Sequence, residues 1–518
     1  MSERYDTVIV GGGTAGCVLA NRLSADPQQR VALIEAGPDF GPVAAGNWPP
    51  ELVGAAYVET AYDWGYEITV GSQRLRYTRG RVIGGSSAVN ATGINWGLKR
   101  DYDAWAAQGN PGWSFADLLP YFHRVERLED DSAPLRGRTG MLPVSRAVGS
   151  TPFLDALQQA YQAAGLGLVD VGGPEAEEGY GWTTRNVSQG RRVHAAEAYL
   201  DPVRQRPNLT IFDRTVVERL EWEGSRVRAV VGQREGTPLR LEAGRVVLAA
   251  GAIGDPLLLQ RSGIGPEEVV RRACPDGPIH HLPGVGRNLH DHFGTRVYYR
   301  PSPEFFHLLA QRAPDLPPDG RFALSARVKS ARSLDAYDLN IGVFHYTRPP
   351  RRPEPLIGAL HEAITFVIFL VHLRGTGAVE ITGPRVEDPP RIDPGFGENE
   401  DIEALARGIE WVRARLAHPA LTEWIALEEW PGPEVNGPSL RSWVRNHLSL
   451  YYHPTGTCKM GPASDPEAVV DQRGKVHGFN NLFVADAAIM PTIPRGMIVL
   501  TVYAIAEKIA AELNHVPA

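Results

Sequence analysis

Three glycines and one acid carry the first chemistry legible in this chain. Gly11, Gly13 and Gly16 stand at G-x-G-x-x-G spacing, with Thr14 and Ala15 between the last two. At that spacing one glycine allows a tight turn, one lets backbone approach a pyrophosphate, and one lets a helix pack on a strand. Glu35 follows about 20 residues later, where a carboxylate can hold a ribose hydroxyl. An acid there suits a free 2′-OH better than a 2′-phosphate, so the ligand is FAD or NAD rather than NADP. The spacing leaves FAD and NAD both open.

These residues need a strand before them and a helix after them. Residues 5–10 are rich in β-branched apolar side chains and read as a buried parallel strand. Residues 17–23 carry a helical apolar pattern, and their helix would offer free N–H groups to a phosphate. Residues 31–34 read as a second strand, and Glu35 and Ala36 lie at its end. Strand, turn, helix, strand and acid follow without a gap.

The 518-residue chain is too long for one core, which predicts two domains. Its composition, 43% apolar and 22% charged, is that of a soluble protein. A net charge of −7 gives no basic field for nucleic acid or an anionic membrane. No apolar run reaches the about 18 residues that a membrane span needs. The first strand begins within a few residues of Met1, leaving no room for a signal peptide, so a cytoplasmic protein is expected. Cys17, Cys274 and Cys458 are too scattered for a disulfide framework or a metal site.

Further on, residues 79–93 interleave glycines, serines and a threonine with Val82, Ile83 and Val89. Such a stretch brings backbone close to a flat ligand and offers many donors, and its apolar anchors distinguish it from a linker. Residues 115–127, 153–164, 401–417 and 502–510 have helical spacing, the first two expected over the dinucleotide-binding domain. Residues 208–212, 216–220, 246–250, 338–346 and 363–373 read as strands, with a hairpin through Gly224 and Gly236. Residues 301–319 and 347–355 are Pro-rich and read as surface loops, the arginines at 348, 351 and 352 being solvated.

Residues 80–90 resemble the first signature of the glucose–methanol–choline (GMC) flavoprotein oxidoreductases. Residues 251–265 resemble the second, with Asp255 where the family usually has Ser or Thr. Residues 282–292, 452–461 and 484–491 extend the resemblance along the chain. It implies FAD rather than NAD. It also implies an α/β fold, a Rossmann-type FAD-binding domain with a discontinuous substrate-binding domain of antiparallel sheet plus helices. The FAD domain is expected from residues 1–150, 206–296 and 463–518, and the substrate side from 151–205 and 297–462. Carried over position by position, the resemblance places FAD against Gly11, Gly13, Thr14, Ala15, Gly16, Glu35, Ala36 and Arg81. It continues through Gly84, Gly85, Ser86, Asn90, Ala91, Thr92, Gly93, the backbone of Val217, Asp486 and Ala487. Val89 occupies the position at which some relatives attach the flavin covalently through a histidine, so FAD is expected to be non-covalent.

The implied reaction removes a hydride from a carbinol carbon to flavin N5. It needs a base for the hydroxyl proton and a clamp for the developing alkoxide. Of fifteen histidines, His453 is the one set in the family's active-site motif. A second His or Asn is usual six residues after the proline matching Pro491, and here that position is Met497. A thioether is a weak acceptor and no donor. Either His453 works alone, or Asn90, Thr501 or Arg495 substitutes, or the reaction differs. The expected substrate is an uncharged primary alcohol, aromatic or furanic, against Tyr451, Tyr452 and Phe366, with Phe344, Tyr346 and Phe369 nearby. Oxygen or another acceptor would reoxidise the flavin. A hydroxynitrile-lyase-type or other non-redox use of the same fold is the alternative.

Overall fold

Apolar strands without polar alternation require cover on both faces. The computed structural model describes residues 3–54, 60–71, 73–130, 133–146, 151–175, 178–312, 324–330, 335–346 and 363–514. In it, strands Glu3–Val10 and Val31–Ile34 lie inside a seven-stranded sheet. The spatial order is Leu209–Phe212, Val31–Ile34, Glu3–Val10, Thr237–Leu248, Arg226–Arg234 and Thr215–Glu223. The first four strands run parallel, and the last two add an antiparallel hairpin edge. Leu482–Val484 pairs in parallel with the end of Thr237–Leu248, Val246 facing Leu482, and so returns the C-terminal chain to this sheet.

The glycine turn joins strand Glu3–Val10 to helix Thr14–Leu23 as the spacing requires. A Cβ on Gly16 would strike the Gly11 carbonyl, so only glycine lets this helix sit so close to the turn. Helices Thr14–Leu23, Phe115–Val125 and Val499–Asn514 pack together in the core of this half.

A second seven-stranded sheet is antiparallel along its main path. Its order is Ile425–Trp430, Phe293–Pro301, Ala363–Leu370, Leu339–Tyr346, Leu324–Val328 and Gly179–Trp182, and Ser449–Leu450 also pairs with Phe293–Pro301. Helices Pro152–Ala163, Asn399–Leu416 and Gly437–Asn446 share one core with it. The expected helix at 153–164 therefore does not cover the flavin sheet. Its Phe153, Leu157 and Tyr161 pack with the second sheet instead.

Two further expectations change. Residues 303–312 form a helix rather than an irregular loop, with Pro303 at its first position, where proline's missing N–H costs nothing. Phe366, expected beside the substrate, packs in the core of the second sheet. In Ala363–Leu370 the row Ile364, Phe366, Ile368 packs beneath the helices, whereas Val367 and Phe369 share the other face with Tyr451. Alternate residues point to opposite faces of a strand. Residues 347–355, with their three arginines, lie outside the described residues, as does the side chain of Tyr346.

Candidate active site

The nucleotide end is built by backbone. The Glu35 carboxylate accepts from Gly12 N–H at 2.9 Å and from Gly37 N–H at 2.8 Å, which fixes it at the strand end. Burial raises its pKa to about 7 against the lowering effect of these N–H groups and Arg81. Each oxygen keeps a lone pair for a hydroxyl. A Cβ on Gly13 would meet nothing closer than Gly85 Cα at 3.7 Å, so the turn leaves its outer side open. Beyond Gly37 a cleft of about 510 Å³ runs past Arg81 and Val216 on the edge strand, where Val217 was expected to meet adenine. A buried ribose acceptor, an open glycine turn and a cleft at the strand edge fit an adenine dinucleotide.

Thr14, Ala15 and Gly16 begin the helix after the turn, and Ala36 lines the cleft. Gly84 and Gly85 lead into the short helix Ser86–Val89, and Gly84 N–H donates to Gly12 O at 2.7 Å, joining the two glycine stretches. Ser86 Oγ accepts from Gly80 N–H at 3.3 Å. Thr92 is buried with φ 61°, and its hydroxyl accepts from Arg185 Nε at 3.0 Å. Gly93 lies under the Met497 side chain: a Cβ there would come 3.1 Å from Met497 Cε.

Asp486 Oδ1 and Oδ2 accept from Ala488 N–H at 2.8 Å and Gly251 N–H at 2.6 Å, holding Ala487 beside the same core. Asp255 lies against Asp486 and accepts from Ala250 N–H at 2.9 Å. Burial, then the neighbouring carboxylate, pushes the Asp255 pKa well up. A carboxyl that keeps its proton puts a neutral group beside Asp486.

The reactive end gathers residues remote in sequence. Tyr452 takes φ 63°, and its carbonyl accepts from Arg79 Nη2 at 2.6 Å, which turns the chain into His453. The backbone N–H groups of His453 and His292 both donate to Asp291 Oδ1 at 2.7 Å, and Tyr77 donates to Oδ2. Burial raises the Asp291 pKa to about 6, opposed by those donors. The two imidazoles meet through Nδ1 atoms 3.0 Å apart, so one of them must donate. His292 is fully buried, and its Nε2 has no hydrogen-bond partner. With His453 as the Nδ1 donor, its Nε2 carries an open lone pair. Burial, then Arg79, lowers the His453 pKa to about 3, so the ring is neutral at neutral pH.

Phe369, Tyr451 and His453 stack in series, with centroids 3.4 and 4.5 Å apart. Phe344 and Val367 join Phe369 and Tyr451 in an apolar wall, and Tyr452 packs toward the second core.

Asn90 Oδ1 is already engaged by Thr92 N–H and Arg192 Nη1, both at 2.9 Å. Thr501 Oγ1 is 2.7 Å from the Tyr102 hydroxyl and is fully buried. Met497 donates its backbone N–H to Asn95 Oδ1. Sequence reasoning assigned no role to His292, Asp291, Tyr77 or Arg79. His292 and Asp291 do stand at the end of the 282–292 motif, which was the available signal.

The GMC oxidoreductase family models match residues 5–294 and 374–506. The chain belongs to the GMC oxidoreductases. It is 33% identical over 545 residues to mitochondrial choline dehydrogenase of Mus musculus, covering 100% of this chain and 90% of that protein. It is 32% identical over 532 residues to the oxygen-dependent choline dehydrogenase of Staphylococcus aureus (strain JH9), covering 98% and 93%. Among solved structures, pyridoxine 4-oxidase from Mesorbium loti superposes with a TM-score of 0.86 at 32% identity, covering 99% of each chain. A formate oxidase superposes with a TM-score of 0.85 at 25% identity, covering 99% and 98%. This GMC oxidoreductase is an FAD enzyme built around two seven-stranded sheets. Among its described residues no helix is long and apolar enough to cross a membrane, and no cluster suits a metal ion.

Proposed function

We propose that this GMC oxidoreductase oxidises a primary alcohol to its aldehyde, with His453 as the general base. The observation that carries this reading is the His292–His453 pair: in it, a neutral, buried His453 that donates at Nδ1 keeps Nε2 as an acceptor. FAD supplies the hydride acceptor when bound, and Gly13, Glu35, Gly85 and Asp486 are the residues that would hold it without a covalent bond.

His453 receives the hydroxyl proton at Nε2. Its low proton affinity rises once a developing alkoxide provides a counter-charge beside it. Asp291 and Tyr77 hold the backbone on both sides of the imidazole pair, so the base does not have to be oriented during the reaction. Tyr451 and Phe369 exclude water and give a flat body of the substrate an apolar wall to lie on. An aromatic or furanic alcohol has that shape. The proposed acceptor for the reducing equivalents is oxygen or another oxidant.

Anaerobic addition of benzyl alcohol should bleach the yellow protein, with benzaldehyde appearing in equal amount to the flavin reduced. A flavin that stays oxidised across a panel of aromatic, furanic and aliphatic alcohols would overturn the reading in favour of a non-redox use of the fold.

A further inference from the structure

Asp255, standing where the family usually has Ser or Thr, brings a second acid to a place that already holds one. Three neighbouring parallel strands, Glu3–Val10, Thr237–Leu248 and Leu482–Val484, end on one edge of the sheet. From those ends come the glycine turn, the helix Gly251–Arg261 and Asp486. Open parallel sheets bind their ligands outside this edge. The helix start lies directly against the turn: a Cβ on Gly11 would fall 2.4 Å from Ala249 O and 2.8 Å from Ala250 Cα.

Two consecutive backbone N–H groups fix the acids side by side. Ala250 N–H donates to Asp255 Oδ1 at 2.9 Å, and Gly251 N–H donates to Asp486 Oδ2 at 2.6 Å. Asp486 Oδ1 takes Ala488 N–H at 2.8 Å. Asp255 Oδ2 has no N–H or hydroxyl partner, although the side chain is fully buried. Two buried carboxylates in contact and without a cation do not both ionise, and a proton between them supplies the missing donor.

The ionisable groups around the pair are engaged elsewhere or uncharged. The 456–460 segment presents Cys458, whose thiol is kept protonated by burial and then by the two acids. Lys459 next to it is paired with Asp465 and Glu467. At the far end of the helix Arg261 Nε donates to Glu218 O at 3.2 Å. On strand Thr215–Glu223, Arg219 pairs with Glu221; on Ala378–Glu380, Glu380 takes Arg272 and Arg287; on Glu267–Val270, Glu267 takes Arg271. Among the described residues no cation pairs with either acid. Burial, then Asp486, holds the Asp255 carboxyl well above the usual carboxylate range. Burial also raises Asp486, opposed by the Ala488 N–H, Asp255 and the Gly251 N–H.

We infer that Asp255 and Asp486 hold one proton between them at the cofactor edge of the sheet, so that FAD is retained while the pair carries a single charge and is shed as that proton is lost. A second negative charge there repels the anionic diphosphate of FAD. Asp255 acts through Asp486 and is a positioning residue. The inference needs FAD but not the alcohol reading. A proton held more tightly with FAD present than absent adds to affinity at low pH, and its contribution disappears as pH rises.

The test reads cofactor retention. Serial dilution of the holoenzyme, with freed FAD followed by its fluorescence, gives the dissociation constant at each pH from about 6 to about 9.5. For the parent it should climb toward the alkaline end, by up to about tenfold per pH unit, the slope of one released proton. Asp255→Asn keeps an acceptor for Ala250 N–H and a donor for Asp486 but does not titrate, so its alkaline climb should be absent. Glu35, whose burial raises it to about 7, titrates in both proteins and cancels from the comparison. Asp255→Ser, with a hydroxyl that likewise stays neutral, serves if the Asn variant does not fold, and far-UV circular dichroism at each pH confirms that the chain is intact. A parental constant that stays flat across the range would overturn the inference. So would variants whose constants climb as steeply as the parent's, since a purely structural hydrogen bond would weaken FAD binding equally at every pH.

Discussion

Replacing the two paired histidines one at a time distinguishes a base from the group that orients it. His453→Ala removes the proposed acceptor of the hydroxyl proton, and loss of a positioned general base costs roughly 10²–10⁴ in rate. His292→Ala removes only the partner 3.0 Å from His453 Nδ1, leaving Nε2 in place. One neutral hydrogen bond contributes about 0.5–1.5 kcal/mol, and at about 1.36 kcal/mol per decade that is a two- to thirteenfold loss. The assay is single-turnover flavin reduction by an alcohol under anaerobic conditions, normalised to flavin content. Because the two rings touch, their effects should also be less than additive in the double variant. A His292→Ala enzyme as slow as His453→Ala would refute the assignment of the base. So would a His453→Ala enzyme that reduces at the parental rate.

Three further outcomes are expected. Acid precipitation should release all the flavin into the supernatant as intact FAD, since Val89 offers no side chain for attachment, and yellow colour retained in the pellet would contradict this. Burial and Arg79 hold His453 at about pH 3; its reactive neutral form then persists as pH falls, so reduction should stay level from about pH 8 to about pH 5. An inflection near the ordinary histidine value of about 6.5 would show that the ring is not desolvated. Met497→Asn should speed reduction by placing a donor over Gly93, with a ceiling of about tenfold to a hundredfold; unchanged rates and an unchanged ranking of alcohols would mean that position 497 does not face the substrate.

The flavin half of the fold was legible because its signals are local. Strand, glycine turn, helix and acid lie within 35 contiguous residues, and each is required by the one next to it. The second half needed information that a linear pattern does not hold. Helix Pro152–Ala163 has a clear apolar face, but periodicity tells that a face is buried and not what covers it. Strand Ala363–Leu370 is buried on both faces, so no polar alternation marks which parity meets the site. Phe366 and Phe369 were equivalent in sequence, and only the pleat separates them. Pro303 read as a breaker because proline interrupts a helix interior, whereas at the first turn it is tolerated.

At the candidate site, sequence pointed to His453 but not to the ring it pairs with. His292 and His453 are 161 residues apart, and no spacing rule joins an Nδ1 on one to an Nδ1 on the other. The same limit applies to the group that would compensate for Met497. By residue type Asn90, Thr501 and Arg495 were equal candidates, since each can donate. What separates them is prior commitment: the Asn90 carbonyl serves Arg192 and Thr92, and the Thr501 hydroxyl is paired with Tyr102. Arg495 is buried against Asp101 and His372. The proposed reading therefore has His453 accept the proton without a second donor from Asn90 or Thr501. Position 497 holds a methionine that packs over Gly93.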